Sequence, residues 1–247
     1  MLTDAENTLF TYYNEISERL GKIVHFQKEK LEEGSRQIAN AILKNKMIYI
    51  FGCGHSHILS EEGFYRAGGL ANVSPIFSEP LMLHESAVAS SQLEKQRGLA
   101  KPVLDQYPVE NGDILICVST SGVNAVPVEM AQAARSRGMF VLGITSSAYF
   151  DQSASCGVHL FECCDVWLDN YAPHGDACLH AEGMATSFAP VSTITSSFIL
   201  NSLLAQSIVL ALQQGGQPPV YRSGNIPGGA SYNQDLIDRY KNRIRHL

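Results

Sequence analysis

Charge is scarce in this chain of 247 residues. Only 17% are Asp, Glu, Lys or Arg, and 18 basic residues against 24 acidic ones give a formal net charge of -6. Nucleic acid is held by a dense basic patch, so no nucleic-acid partner is expected. Long apolar runs are lacking too. The longest candidate, Phe198 to Leu212, is interrupted by Asn201, Ser202, Gln206 and Ser207, short of the roughly 18–20 residues a membrane span needs; no membrane partner is expected. Asp4 and Glu6 stand where a signal peptide would be basic, and the expectation is a cytoplasmic protein. The six cysteines form no CxxC pair, which fits buried thiols in a reducing compartment. His174-x3-Cys178-x-His180 offers ligand types without a zinc spacing, and no metal is expected. Any bound anion must therefore be held locally, by backbone amides and hydroxyls.

What is abundant is apolar: 45% of the residues are hydrophobic, enough for one large core. Leu9, Tyr13, Ile16, Leu20 and Ile23 recur at spacings of four and three, a helix stripe opened by the capping box Thr3-Asp4-Ala5-Glu6. Gly21 and Gly34 are expected to bend or break this region. Met47–Phe51, Ala71–Phe77, Asp113–Ser119, Phe140–Thr145 and a run ending in Val166–Asp169 read as strands. Unbroken apolar runs of this kind suit a parallel sheet buried on both faces. Helices are expected over 57–66, 81–96, 125–137, 191–213 and 231–247. Alternation of the two predicts right-handed βαβ units. One domain over 1–247 is expected: N-terminal helices in 1–45, an α/β core in 46–213, and a Gly/Pro-rich loop with a C-terminal helix in 214–247.

Ligands of open parallel sheets sit beyond the carboxyl ends of the strands. Two turns fall there. Gly52-x-Gly54-x-Ser56 lets the backbone approach an anion and opens a helix. Ser119-Thr120-Ser121-Gly122, with Asn124, offers hydroxyls and amides before another helix. A dinucleotide fingerprint would need a third glycine where His57 stands and an acid on the next strand, and 71–77 holds none. No cofactor is expected.

These residues resemble a known family. Asp113-Ile-Leu-Ile-Cys-Val-Ser-Thr-Ser-Gly-Val-Asn124, then a helix, then Arg137-Gly-Met-Phe-Val-Leu-Gly-Ile-Thr145, is similar to the central signature of the SIS (sugar isomerase) domain. Gly52-Cys-Gly-His-Ser56 resembles that family's first loop, and Pro190-Val-Ser-Thr-Ile-Thr195 its late Ser/Thr-rich segment. The likeness spans roughly residues 35–213. Arg66-Ala-Gly-Gly69 and Asn225-Ile-Pro-Gly-Gly229 resemble its small single-domain phosphosugar isomerase and phosphosugar-binding group. The resemblance implies a three-layer α/β/α fold of flavodoxin-like order, with a five-stranded parallel sheet and an N-terminal helical extension. It implies a sugar phosphate as ligand and a homodimer or homotetramer. By position, Gly54, Ser56, Ser119, Thr120, Ser121 and Asn124 inherit the phosphate role, with Asn124 in place of the usual Thr. Phosphoheptose isomerases carry a His after the first loop and another in the late helix; Glu62 stands near the first position, and 191–213 has no His.

Aldose–ketose isomerisation needs a base to move a proton between adjacent carbons and a group to open the ring. Glu62, about one and a half turns beyond Ser56, is the expected base. Glu85, beside His84, is a second candidate. His174 lies in the loop after the last strand and could open a ring, and His55 and His57 flank Ser56 as contacts to the sugar. An isomerase is the first reading. A sugar-phosphate lyase or etherase uses the same kind of base, and a non-catalytic phosphosugar-binding regulator needs none.

Overall fold

In the computed structural model, residues 5–247 are described, with side chains from residue 7; the capping box lies outside them. Two helices come first, α1 (Ala5–Phe26) and α2 (Lys28–Leu43). The break between them falls at Gln27, not at a glycine. Gln27 is buried, and its amide pairs with the backbone of Asp169, donating to the carbonyl at 2.7 Å and accepting from the N–H at 2.6 Å. Gly34 sits inside α2, where a Cβ would stand 2.9 Å from Leu203 Cδ2. It lets α2 lie close on a later helix. Of the expected α1 stripe, Ile23 is buried, while Leu9 and Tyr13 are exposed.

The core alternates β1 (Ile48–Gly52), α3 (Ile58–Gly63), β2 (Val73–Ile76), α4 (Leu83–Leu93), α5 (Ala100–Leu104), β3 (Ile114–Val118), α6 (Ala125–Ser136), β4 (Phe140–Thr145) and β5 (Val166–Asp169). All five strands are parallel, in the order β2-β1-β3-β4-β5. Successive side chains of a strand point to opposite faces. Ile48, Ile50, Ile114, Ile116, Leu142 and Ile144 therefore pack with α2 and the long helix α7 (Ser192–Gln213). Tyr49, Phe51, Leu115, Cys117 and Val141 pack with α5, α6 and α8 (Gly229–Tyr240) on the other side. This is the expected three-layer α/β/α arrangement.

α7 has the length and composition of a membrane span, yet Ile199, Leu200, Leu203 and Ala211 are buried in the core. Two local expectations give way to tertiary structure. The helix after the first loop ends at Gly63, with Phe64 already extended, and Gly63 packs under Ile50, where a Cβ would come within 2.4 Å. The last helix stops at Tyr240, after which a turn returns Ile244 to the core. A short antiparallel hairpin, β6 (Ala177–Leu179) with β7 (Phe188–Pro190), fills the stretch before α7.

Candidate functional site

In the strand order 2-1-3-4-5 the chain leaves β1 and β3 in opposite directions, and a crevice opens at the carboxyl ends of these two neighbours. A cleft of about 340 Å³ lies there, lined by Gly54, His55 and Ser56 from the first loop and by Ser119, Thr120, Ser121 and Asn124 from the second. α4 adds Leu83, Ser91 and then Glu94 just beyond its end. Tyr149, Gly175, Asp176 and Ser192 close the far side. No Lys or Arg is among the lining residues.

Each loop is shaped by a glycine. A Cβ on Gly52 would lie 2.5 Å from the carbonyl of Ser56, so only glycine lets the chain curl into the single 3-10 turn Gly54–His57. Gly122 has φ +63°, and a Cβ there would strike Thr145 Oγ1 at 2.6 Å. Its N–H donates to Ser119 Oγ at 3.2 Å. The Thr120 carbonyl accepts from Ser146 N and from Thr145 Oγ1, which ties the second loop to β4. Among the described residues, the Ser121 and Ser56 hydroxyls and the backbone N–H groups of Ser121, Val123 and Asn124 have no hydrogen bond. Those of Ser121, Val123 and Asn124 stand at the start of α6, where the helix dipole favours negative charge.

Glu94 is the residue that sequence patterning passed over. Asn124 Nδ2 donates to its Oε1 at 2.5 Å, and its own carbonyl accepts from Val126 N at 3.0 Å, so one residue stitches the end of α4 to the start of α6. Burial pushes its carboxyl above the usual range. Asp176, at φ +65°, caps α7: Oδ1 accepts from Ser192 N at 2.8 Å and from Val191 N at 3.2 Å, and Oδ2 accepts from Ser192 Oγ at 2.7 Å. Tyr149 Oη accepts from Gly175 N at 2.8 Å, holding the approach to that cap.

The remaining sequence candidates lie off the lining. His57 is buried beneath the first loop, its Nδ1 bonded to the Gly54 carbonyl and its Nε2 3.3 Å from Glu61 Oε1. Glu62 sits between α3 and α7; its Oε1 accepts from Arg66 Nη1 and, at 2.8 Å, from Asn201 Nδ2. Glu85 is exposed on α4, 3.9 Å from His84. His174 is exposed and stacked on Tyr149, ring centroids 4.9 Å apart, with Nε2 bonded to Gln152. No cluster of three or more His, Cys, Asp or Glu side chains arranged to hold a metal occurs among the described residues.

The SIS domain family matches residues 11–146 of this chain. A UPF0309 protein of Geobacillus thermodenitrificans is 42% identical over 94% of this chain and 95% of its own length. A UPF0309 protein of Brucella canis is 41% identical over 96% and 97%. Among solved structures, the phosphoheptose isomerase of Neisseria gonorrhoeae superposes with a TM-score of 0.55 at 14% identity, over 84% of this chain and 98% of its own. The Vibrio vulnificus NanR protein complexed with ManNAc-6P superposes with a TM-score of 0.50 at 15% identity, over 95% of this chain and 69% of its own.

Proposed function

This chain belongs to the SIS domain family, and from that premise we propose that the cleft between its first and second loops binds a phosphorylated sugar and isomerises it between aldose and ketose. The observation that carries the reading is the convergence of Ser56, Ser119, Thr120 and Ser121 with Glu94 around one cleft that holds no Lys or Arg. A phosphate fits hydroxyls and unused amides at a helix start, without a fixed cation. The sugar then extends toward α4.

Glu94 is the proposed base. A carboxylate in a partly desolvated cleft holds its proton closer to neutral pH, where transfer to and from carbon is most effective. Ionised Glu94 takes the proton from the hydroxyl-bearing carbon next to the carbonyl, leaving an enediolate, and the proton of that hydroxyl passes to the former carbonyl oxygen. The same carboxyl returns that proton to the neighbouring carbon, and the carbonyl has moved by one position. Asn124 steadies the carboxylate through the hydrogen bond to Oε1. Asp176 is already engaged in three hydrogen bonds at the start of α7; its role is to shape the far wall.

The reading is tested by incubating the protein with sugar phosphates in D₂O and following deuterium uptake at carbon. Wild type exchanges with the correct substrate, and Glu94→Gln lowers exchange about a hundredfold or more, the scale of general-base removal, while affinity stays within about threefold. Glu62→Gln retains exchange. If Glu62→Gln abolishes exchange and Glu94→Gln does not, the base has been misassigned. NanR, described in complex with ManNAc-6P, has a related fold, so binding without exchange for every sugar phosphate makes this chain a sensor.

A further inference from the structure

We propose that a second cavity, beside the first, is a binding site for a small molecule carrying an oxyanion and an apolar ring. This cavity has a volume of about 550 Å³, within the range of small-molecule sites. The two cavities share the segment after β2: Leu83 faces the first, while Met82 and His84 line the second. The proposal does not depend on the reading of the first cleft.

The lining has two parts. Phe77, Pro80 and Met82 form an apolar wall, and the Arg245 guanidinium stands with the imidazoles of His246 and His84 in the rest of the lining. Exposed Glu79 is the one carboxylate in the lining. Among the described residues neither it nor any other carboxylate forms a salt bridge with Arg245, whose Nη1 donates to Gln106 Oε1. Most of the planar guanidinium fork therefore remains available, the group best matched to an oxyanion.

The hydrogen bonds of Tyr107 set the tautomer of His246. The Tyr107 hydroxyl accepts from Phe77 N at 2.7 Å and lies 3.0 Å from the Phe77 carbonyl, to which it donates its single proton. His246 Nε2 is 3.0 Å from the same oxygen. That oxygen has no second proton to give, so Nε2–H is the donor there. Nδ1 then has no partner among the described residues and becomes a donor when the ring is protonated. Partial desolvation and the Arg245 guanidinium hold this imidazole below its usual value. An oxyanion between the two removes that repulsion. The His246 ring is tilted against Phe77, with centroids 5.0 Å apart, which gives a ligand ring an edge to pack on.

The test is histidine-detected NMR on the full chain with phenyl phosphate as the probe. His246 and His84 signals are assigned with His246→Gln and His84→Gln. The expected result is a saturable shift of both signals, an affinity at least fivefold weaker in Arg245→Gln, and no more than a twofold change in Ser121→Ala. Arg245→Lys keeps the charge and loses the fork; it should weaken the probe at least twofold and serves if Arg245→Gln does not fold. Absence of any His246 shift, a shift unaffected by either Arg245 change, or a shift lost in Ser121→Ala overturns the proposal.

Discussion

At the scale of single residues, Glu94 joins the end of α4 to the start of α6 and is also the proposed base. Its carboxyl is pushed up by burial, so the folded state binds a proton more readily than the unfolded chain. Stability from this group is then fully present below the ordinary carboxylate range and is lost as pH rises through the folded value. Glu94→Gln removes the penalty while keeping one oxygen for Asn124 Nδ2. The expected outcome is a melting temperature at pH 8 equal to or above that of wild type, with the difference vanishing near pH 4. A variant that melts lower only at pH 8 contradicts the assignment of a raised value. Ser121 has a simpler role. Its hydroxyl is free of hydrogen bonds within the described chain, so Ser121→Ala should leave stability unchanged and weaken a sugar phosphate by about 1–2 kcal/mol, on the scale of one hydrogen bond to a charged group. Calorimetric titration of both proteins checks this.

At the scale of elements, the site is held by contacts between distant segments. Asp176 closes the start of α7 with three hydrogen bonds. Asp176→Ala leaves these donors unpaired and should cost about 1–2 kcal/mol, read from denaturant midpoints, with Asp176→Asn recovering part of it. Gln27 does the equivalent for β5: its amide pairs with both backbone groups of Asp169, two residues before the Tyr171 turn. The strands and the two loops at the cleft were legible because their signals are local: apolar runs ending in Gly, Ser and Thr at the carboxyl edge. The position of Glu94 was not. Nothing within 81–96 marks it, since its place in the cleft depends on α4 ending against α6. Glu62 was favoured from helix geometry alone, which counts turns but not the direction in which Arg66 and Asn201 draw the side chain. The break at Gln27 was missed because a polar residue in a helical pattern reads as surface until β5 is known to lie opposite.

At the scale of the whole molecule, α1 projects a row of apolar side chains. Leu9, Phe10 and Tyr13 are each at least 60% exposed, an arrangement that marks a surface for association more often than a solvated face. A homodimer or homotetramer remains the expected assembly, and Leu9→Glu with Phe10→Glu should shift it toward smaller species in light scattering. A monomeric wild type at micromolar concentration contradicts this. The chain is acidic and the proposed phosphate cleft has no Lys or Arg in its lining. Affinity for a sugar phosphate should therefore depend only weakly on ionic strength, because neutral donors at close range are little screened.

The central claim is that Ser56 and Ser119–Ser121 recognise the phosphate of a sugar. It is tested most directly by calorimetric titration of one sugar phosphate and its unphosphorylated parent into wild type and Ser121→Ala. The account predicts that the phosphorylated form binds at least a hundredfold tighter than the parent, and that Ser121→Ala removes about tenfold of that preference. Equal affinity for the two forms, or a preference untouched by the substitution, would contradict it.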